Sequence, residues 1–285
     1  MKKTLLFMLV ALLAASCEKV VLSENDCTDA IKMRNVRVHV NGDFGAPTFT
    51  RSLTADGKEM TDLWIFDYVD DEFVKMIHQT SDDDDFGEPN LLLTYGNHDL
   101  YFVASRGVDP EVDNEEHTIT WSKVRDTFWQ SVAMDVDEST ASDIHVTLER
   151  VVSKLKMNIN DVVPSSLMSI TVTPEEWSQG MDYINCEPIL DDESESTIDV
   201  PSSYHGTSGS LSLSVFTISG ASEWTTDVSV AAKNSSNETI AYVSISDVPL
   251  LANRATVYSG YLFTSGITFS FSLENDWLSD KVLTW

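Results

Sequence analysis

Apolar and polar residues alternate with a period of two along most of this chain. Val36, Val38 and Val40 alternate with Arg37 and His39. In VVSKLKMNIN, Val151, Leu155, Met157 and Ile159 share one face, and Lys154, Lys156 and Asn158 share the other. A strand with one buried and one wet face produces that pattern. Two apolar runs flank Asp70-Asp71 in TDLWIFDYVDDEFVKMIHQ, which predicts a hairpin. LLLTYGNHDLYFVAS repeats the arrangement around Gly96-Asn97 and predicts a second. Further strands are expected in HTITW, LMSITVT, GSLSLSVFTIS, TDVSVAAKN, TIAYVSISDV, RATVYSGYLF and ITFSFSLEN. Turn residues arrive about every 8–12 positions, as in antiparallel sandwiches.

Helical signals are few. SKVRDTFWQSVAMDV has the spacing for a turn or two, and PEEWSQGM starts a Glu-rich turn at Pro174. Neither dominates, so the fold class is all-β, built from antiparallel sandwiches. The polar, acidic end of VRDTFWQSVAMDVDESTASD makes the best boundary. It places one sandwich over 36–142 and a second over 143–285.

The first residues follow different rules. Lys2 and Lys3 precede an unbroken apolar stretch from Leu5 to Ala15, and Ala14, Ala15 and Ser16 are small. That is the layout of a secretory signal over residues 1–16. The apolar run is shorter than the roughly 20 residues a spanning helix needs. LLAASC resembles a bacterial lipobox, which makes Cys17 the expected lipidation site. Two or more acyl chains hold a protein stably where one holds it marginally. Residues 17–35, of mixed polarity, read as a stalk.

Charge narrows the partners. Removing residues 1–16 takes away two lysines and no acids, so the net charge moves from −28 to −30. Such a chain does not neutralise phosphate backbones, and nucleic acid is excluded as a partner. Nor does charge hold it to anionic lipid. The remaining cysteines, Cys27 and Cys186, are expected as free thiols, with a bridge as the lesser alternative.

Catalytic signatures are missing. No two of the 12 glycines stand two or four apart, so neither GxGxxG nor GxSxG exists, and there is no HExxH or phosphate-binding loop. The six histidines are scattered. The runs SDDDD at 81–85 and DDESES at 191–196 lack the alternating oxygens and glycine turn of a calcium loop, and read as solvated turns. No enzyme activity, metal or cofactor is expected. Seven tryptophans offer one alternative function, glycan binding through exposed rings. Core or interdomain packing is the preferred reading of them; Trp64 alternates with Leu63 and Ile65, so one of those two faces must be partly solvent-facing or domain-facing.

Several stretches together carry a resemblance. They are the lipobox LLAASC, then TRSLTADGKEMTDLWIFDYVDDEFVKMIHQ, GEPNLLLTYGNHDLYFVASRG, VTLERVVSKLKMNI and DVPLLANRATVYSGYLF. In this order they resemble the FimB-like minor fimbrial subunits of Bacteroidales, a fimbrillin-related lipoprotein family. The resemblance implies two tandem transthyretin-like sandwiches. It implies an anchor or accessory subunit of a type V pilus, lipid-anchored and surface-exposed on the outer membrane. Its partners would be fimbrial shaft or accessory subunits, joined through sheet edges. Arg51 in FTRSLT then stands as a candidate protease-sensitive site, expected to stay uncut in an anchor. Ile267, Phe269, Phe271 and Leu273 form the apolar face of a candidate donor or closing strand.

Overall fold

The computed structural model describes residues 31–42, 54–55, 58–191, 194–209, 211–220, 223–264 and 268–275. Cys17, Cys27, Arg51 and Ile267 lie outside them. The described residues hold strands and one short 3-10 turn, with no α-helix. In chain order the first ten strands are β1 (Met33–Gly42), β2 (Thr54–Ala55), β3 (Lys58–Glu59), β4 (Asp62–Val69), β5 (Glu72–Thr80), β6 (Asn90–Thr94), β7 (Gly96–Ser105), β8 (Val108–Asp113), β9 (Thr118–Lys123) and β10 (Thr127–Val136). They continue with β11 (Asp143–Arg150), β12 (Val152–Ile159), β13 (Leu167–Pro174), β14 (Trp177–Asp182), β15 (Glu187–Asp191) and β16 (Ser196–Asp199). The last five are β17 (Leu211–Ile218), β18 (Trp224–Asn234), β19 (Thr239–Leu250), β20 (Arg254–Tyr261) and β21 (Thr268–Asn275).

Seven strands form a ladder in the order β5-β4-β7-β10-β11-β1-β6. Its ends share one core. Ile77 of β5 packs on the cluster that holds Leu91 and Leu93 of β6, so the ladder folds over on itself. Val36, Val38 and Val40 point into this core, as their alternation predicts. The hairpin at Asp70-Asp71 forms as expected. Both aspartates have left-handed φ (52° and 65°), the geometry that matches a two-residue turn to strand twist.

Downstream, β17-β12-β20-β21 and β16-β13-β18-β19 make two four-stranded sheets. Leu155, Met157 and Ile159 of β12 meet Ile170, Val172, Val228 and Val230 of the other sheet in a second core. The alternation read in VVSKLKMNIN holds from Lys154 to Ile159, where Lys154, Lys156 and Asn158 are only half-buried, while Val151 packs in a different core from Leu155, Met157 and Ile159.

A further sheet, β15-β14-β9-β8, draws strands from both parts of the chain. It bounds a third core, where Trp64, Phe66 and Tyr68 of β4 meet Trp121, Met181 and Tyr183, and then Phe216, Ile218 and Val257. This explains β4. Leu63 and Ile65 face the ladder's own core and Trp64 and Phe66 face the third, so six consecutive residues are buried. Trp64 faces another layer, not solvent.

Three expectations change. LLLTYGNHDLYFVAS is not a hairpin: β6 ends the ladder beside β1, while β7 lies between β4 and β10. Gly96, at φ 132°, redirects the chain between them. SKVRDTFWQSVAMDV is not helical. It becomes β10, paired with β7 from Thr127 to Val136, because burial of Phe128 between ladder strands outweighs local spacing. Most of PEEWSQGM is β14. β11, which starts at Asp143, pairs with β10 and, in parallel, with β1. Hydrogen bonding passes to a new sheet only at β12, which itself runs parallel to β20. The sheets are therefore mainly antiparallel, with two parallel pairings.

Candidate functional site

The chemistry of this molecule lies in its sheet edges. The ladder ends at β5, whose outer main-chain groups have no strand beyond them among the described residues. Phe73, Val74 and Met76 of β5 are 39, 49 and 37% exposed. Phe73 meets Tyr68 edge-on at 5.6 Å, and His78 stacks on Trp64 at 4.9 Å. His78 Nε2 lies 2.8 Å from Asp62 Oδ1. An edge with apolar side chains and open hydrogen-bonding groups is where another strand adds.

A buried polar network backs this edge. Asp67 Oδ1 pairs with His98 Nδ1 at 2.5 Å, and both side chains are almost fully buried. His98 Nε2 faces the Thr94 carbonyl oxygen at 2.9 Å. Lys75 Nζ lies 3.7 Å from Asp67 Oδ2 and donates to the Leu92 carbonyl of β6. Lys75 thus ties β5 to β6, the two ends of the ladder. Sequence reading missed this group. Its one signal was Asp67, which interrupts an apolar run in DLWIFDYV.

A second edge, in a different sheet, lies at the last described strand. β21 pairs antiparallel with β20, with Phe269 opposite Gly260, Phe271 opposite Tyr258 and Leu273 opposite Thr256. Phe269 is half-buried against the second core. β21 ends its sheet.

Other expected sites resolve into structure. Of the described tryptophans, Trp64, Trp121 and Trp177 are buried, and Trp129 and Trp224 are half-buried. None of these five is exposed, and Trp277 and Trp285 lie outside the described residues. Cys186 is a buried free thiol at φ 57°, and burial, then Asp182 and Glu149, push its pKa up to about 12. The SDDDD run is a turn that uses its own carboxylates: Asp83 Oδ2 accepts from the Thr80 amide at 2.6 Å, and Asp85 Oδ1 from Gln79 at 3.0 Å. Among the described residues no three His, Cys, Asp or Glu side chains are grouped to hold a metal ion.

Two buried hydroxyls fasten the third core. Tyr68 meets Tyr183 at 2.9 Å and His117 Nδ1 at 2.8 Å, and Phe66 stacks on Tyr183 at 3.7 Å. Burial raises both tyrosine pKa values.

Neither a protein-family model nor a curated protein matches the sequence. Solved structures do. A "putative adhesin" from Bacteroides ovatus aligns over 86% of this chain and 98% of its own at TM-score 0.52 and 10% identity. The fold is shared with it. A "putative cell adhesion protein" from Bacteroides eggerthii aligns over 86% and 97% at TM-score 0.50 and 9% identity. The tip fimbrial protein Mfa3 from Porphyromonas gingivalis aligns over 86% and 100% at TM-score 0.48 and 12% identity.

Proposed function

We propose that this chain is a lipid-anchored fimbrial subunit that holds or terminates a pilus on the outer membrane and supports adhesion. In this reading residues 1–16 are a removed signal, and Cys17 carries the acyl chains, palmitate among them. Residues 17–35 are the stalk. Two sandwiches beyond it present sheet edges to shaft or accessory subunits. Arg51 stays uncut, because a cut there would free the domain from its tether.

The observation that carries the reading is a pair of edges with no strand beyond them among the described residues, β5 with exposed Phe73, Val74 and Met76, and β21 at the end of its sheet. Main-chain groups there are available to a partner strand. The shared fold with proteins described as adhesins supports it.

The test is imaging of cells that lack the protein. The expected outcome is pili that are lost, shed or changed in length. Normal attached pili would sink the proposal. A Cys17→Ala variant should appear in the culture medium and fail to incorporate labelled palmitate.

A further inference from the structure

The six histidines are scattered along the chain, yet the fold makes neighbours of two of them. β1 and β11 run parallel with His39 opposite His145, so both side chains leave the same face of the ladder. Val38, Val40 and Val146, beside them in sequence, point into the core. By the same alternation the two imidazoles stand outward, His39 half-buried and His145 exposed. Their rings stack, with centroids 4.8 Å apart and planes inclined by 21°.

Carboxylates flank the pair. Asp143 Oδ1 lies 3.4 Å from His39 Nε2, and Glu88 Oε1 lies 3.9 Å from His39 Nδ1. The Ser142 hydroxyl, and then His39, hold the Asp143 carboxyl below the usual carboxylate range. Arg37 takes the other oxygen of Glu88 at 2.5 Å. His145 makes no hydrogen bond or ion pair among the described residues. One imidazole is thus oriented by carboxylates, and the other is free to turn toward it. A histidine that ligates a metal usually has its second ring nitrogen on such a carboxylate. Two nitrogens on one zinc ion, at about 2.0–2.1 Å each, stand no more than about 4 Å apart. From the observed stack the inner ring edges need to close by only about 1 Å.

We propose that His39 and His145 together bind one divalent transition-metal ion, Zn²⁺ or Cu²⁺, which clamps β1 to β11. Imidazole nitrogen sets the class, because it suits zinc and copper, whereas calcium and magnesium take oxygen ligands. Among the described residues no three His, Cys, Asp or Glu side chains are grouped for an ion, so this is a two-imidazole site whose remaining positions water fills. Asp143 and Glu88 hold the His39 ring and keep the surroundings negative. The two imidazoles meet only when β1 is in register with β11, so an ion bound to both stabilises that pairing. The inference does not rest on the fimbrial reading, since both ligands belong to one chain.

The test is calorimetry and thermal melting on the full chain, free of any affinity tag and stripped with a chelator, in mild detergent. The probes are Zn²⁺ and Cu²⁺, against Ca²⁺ and Mg²⁺. Saturable binding of one Zn²⁺ or Cu²⁺ per chain is expected, weakened about tenfold or more by His39→Gln and by His145→Gln. Asp143→Asn should weaken it less, and His205→Gln, outside the ladder, should leave it unchanged. The ion should raise the melting temperature of the parent, EDTA should reverse the rise, and amide exchange from Arg37 to Gly42 should slow while the ion is bound. The idea fails if neither ion binds, if Ca²⁺ or Mg²⁺ binds as tightly, if the two histidine variants bind like the parent, or if binding leaves exchange along β1 unchanged.

Discussion

Arg150 and Asn253, 103 positions apart in sequence, meet at 2.7 Å, guanidinium Nη1 to side-chain Oδ1. The same guanidinium donates from Nε to Asp126 at 2.6 Å and lies 4.8 Å over the Phe128 ring. Arg150 ends β11 of the ladder, and Asn253 occupies a left-handed turn (φ 57°) before β20 of the downstream sheet. One buried cation therefore clamps two sheets. Breaking such a pair leaves an uncompensated charge, so Arg150→Ala should cost about 3–5 kcal/mol. Asn253→Ala should cost about 1–2 kcal/mol. Denaturant unfolding of both singles and the double variant checks this. Additive losses would show that the two do not act together.

Gly220 sets a second constraint. Its φ is 61°, and a Cβ there would stand 2.3 Å from the Cys186 carbonyl oxygen. Gly220→Ala should therefore cost about 2 kcal/mol or more in unfolding free energy. A thermal shift near zero would contradict the geometry.

Cys186 gives a pH prediction. Its thiol ordinarily titrates near 9.0, and burial raises it to about 12 in the folded chain. The sign follows from which state keeps the proton. Above the unfolded value the unfolded thiol ionises while the folded one does not. The thiol's contribution is fully present below about pH 9 and is lost as pH rises toward 12. Tyr68 and Tyr183, also raised, act in the same direction. Unfolding midpoints measured across this window should fall, and Cys186→Ala should flatten part of the fall. A maleimide reagent at pH 7.5 should label the thiol only after unfolding.

The turn at Asp70-Asp71 predicts a residue preference. Asp71 sits at φ 65°, where a β-branched side chain is strained. Asp71→Val should cost about 1–2 kcal/mol, whereas Asp71→Gly should not destabilise by that route. Chemical denaturation of the two variants separates them.

Much of the fold was legible in alternation alone. Val36-Val38-Val40 and Leu155-Met157-Ile159 sit as their period demands, and the Asp70-Asp71 turn carries its own chemistry. What misled was adjacency. Leu91 and Leu93 precede β7 closely, yet β6 lies across the ladder beside β1, because a distant apolar strand offers a better buried face than the nearest one. Nothing local marks that choice. The polar interior was hidden for a related reason. Asp67, His98 and Lys75 sit on three strands, and only the folded ladder brings them within reach of one another. Arg150 and Asn253 did stand inside two of the stretches, VTLERVVSKLKMNI and DVPLLANRATVYSGYLF, that carried the family likeness.

The parallel pairing of β1 with β11 also bears on how the chain answers tension. From Arg37 to Gly42 the two strands run side by side in the same direction. A pull on the leading end of β1, opposed at the exit of β11 into β12, slides one strand along the other. The bonds of the register are then loaded together instead of opening one after another from an end. A load applied across those two ends is therefore borne by the whole pairing from Arg37 to Gly42 at once.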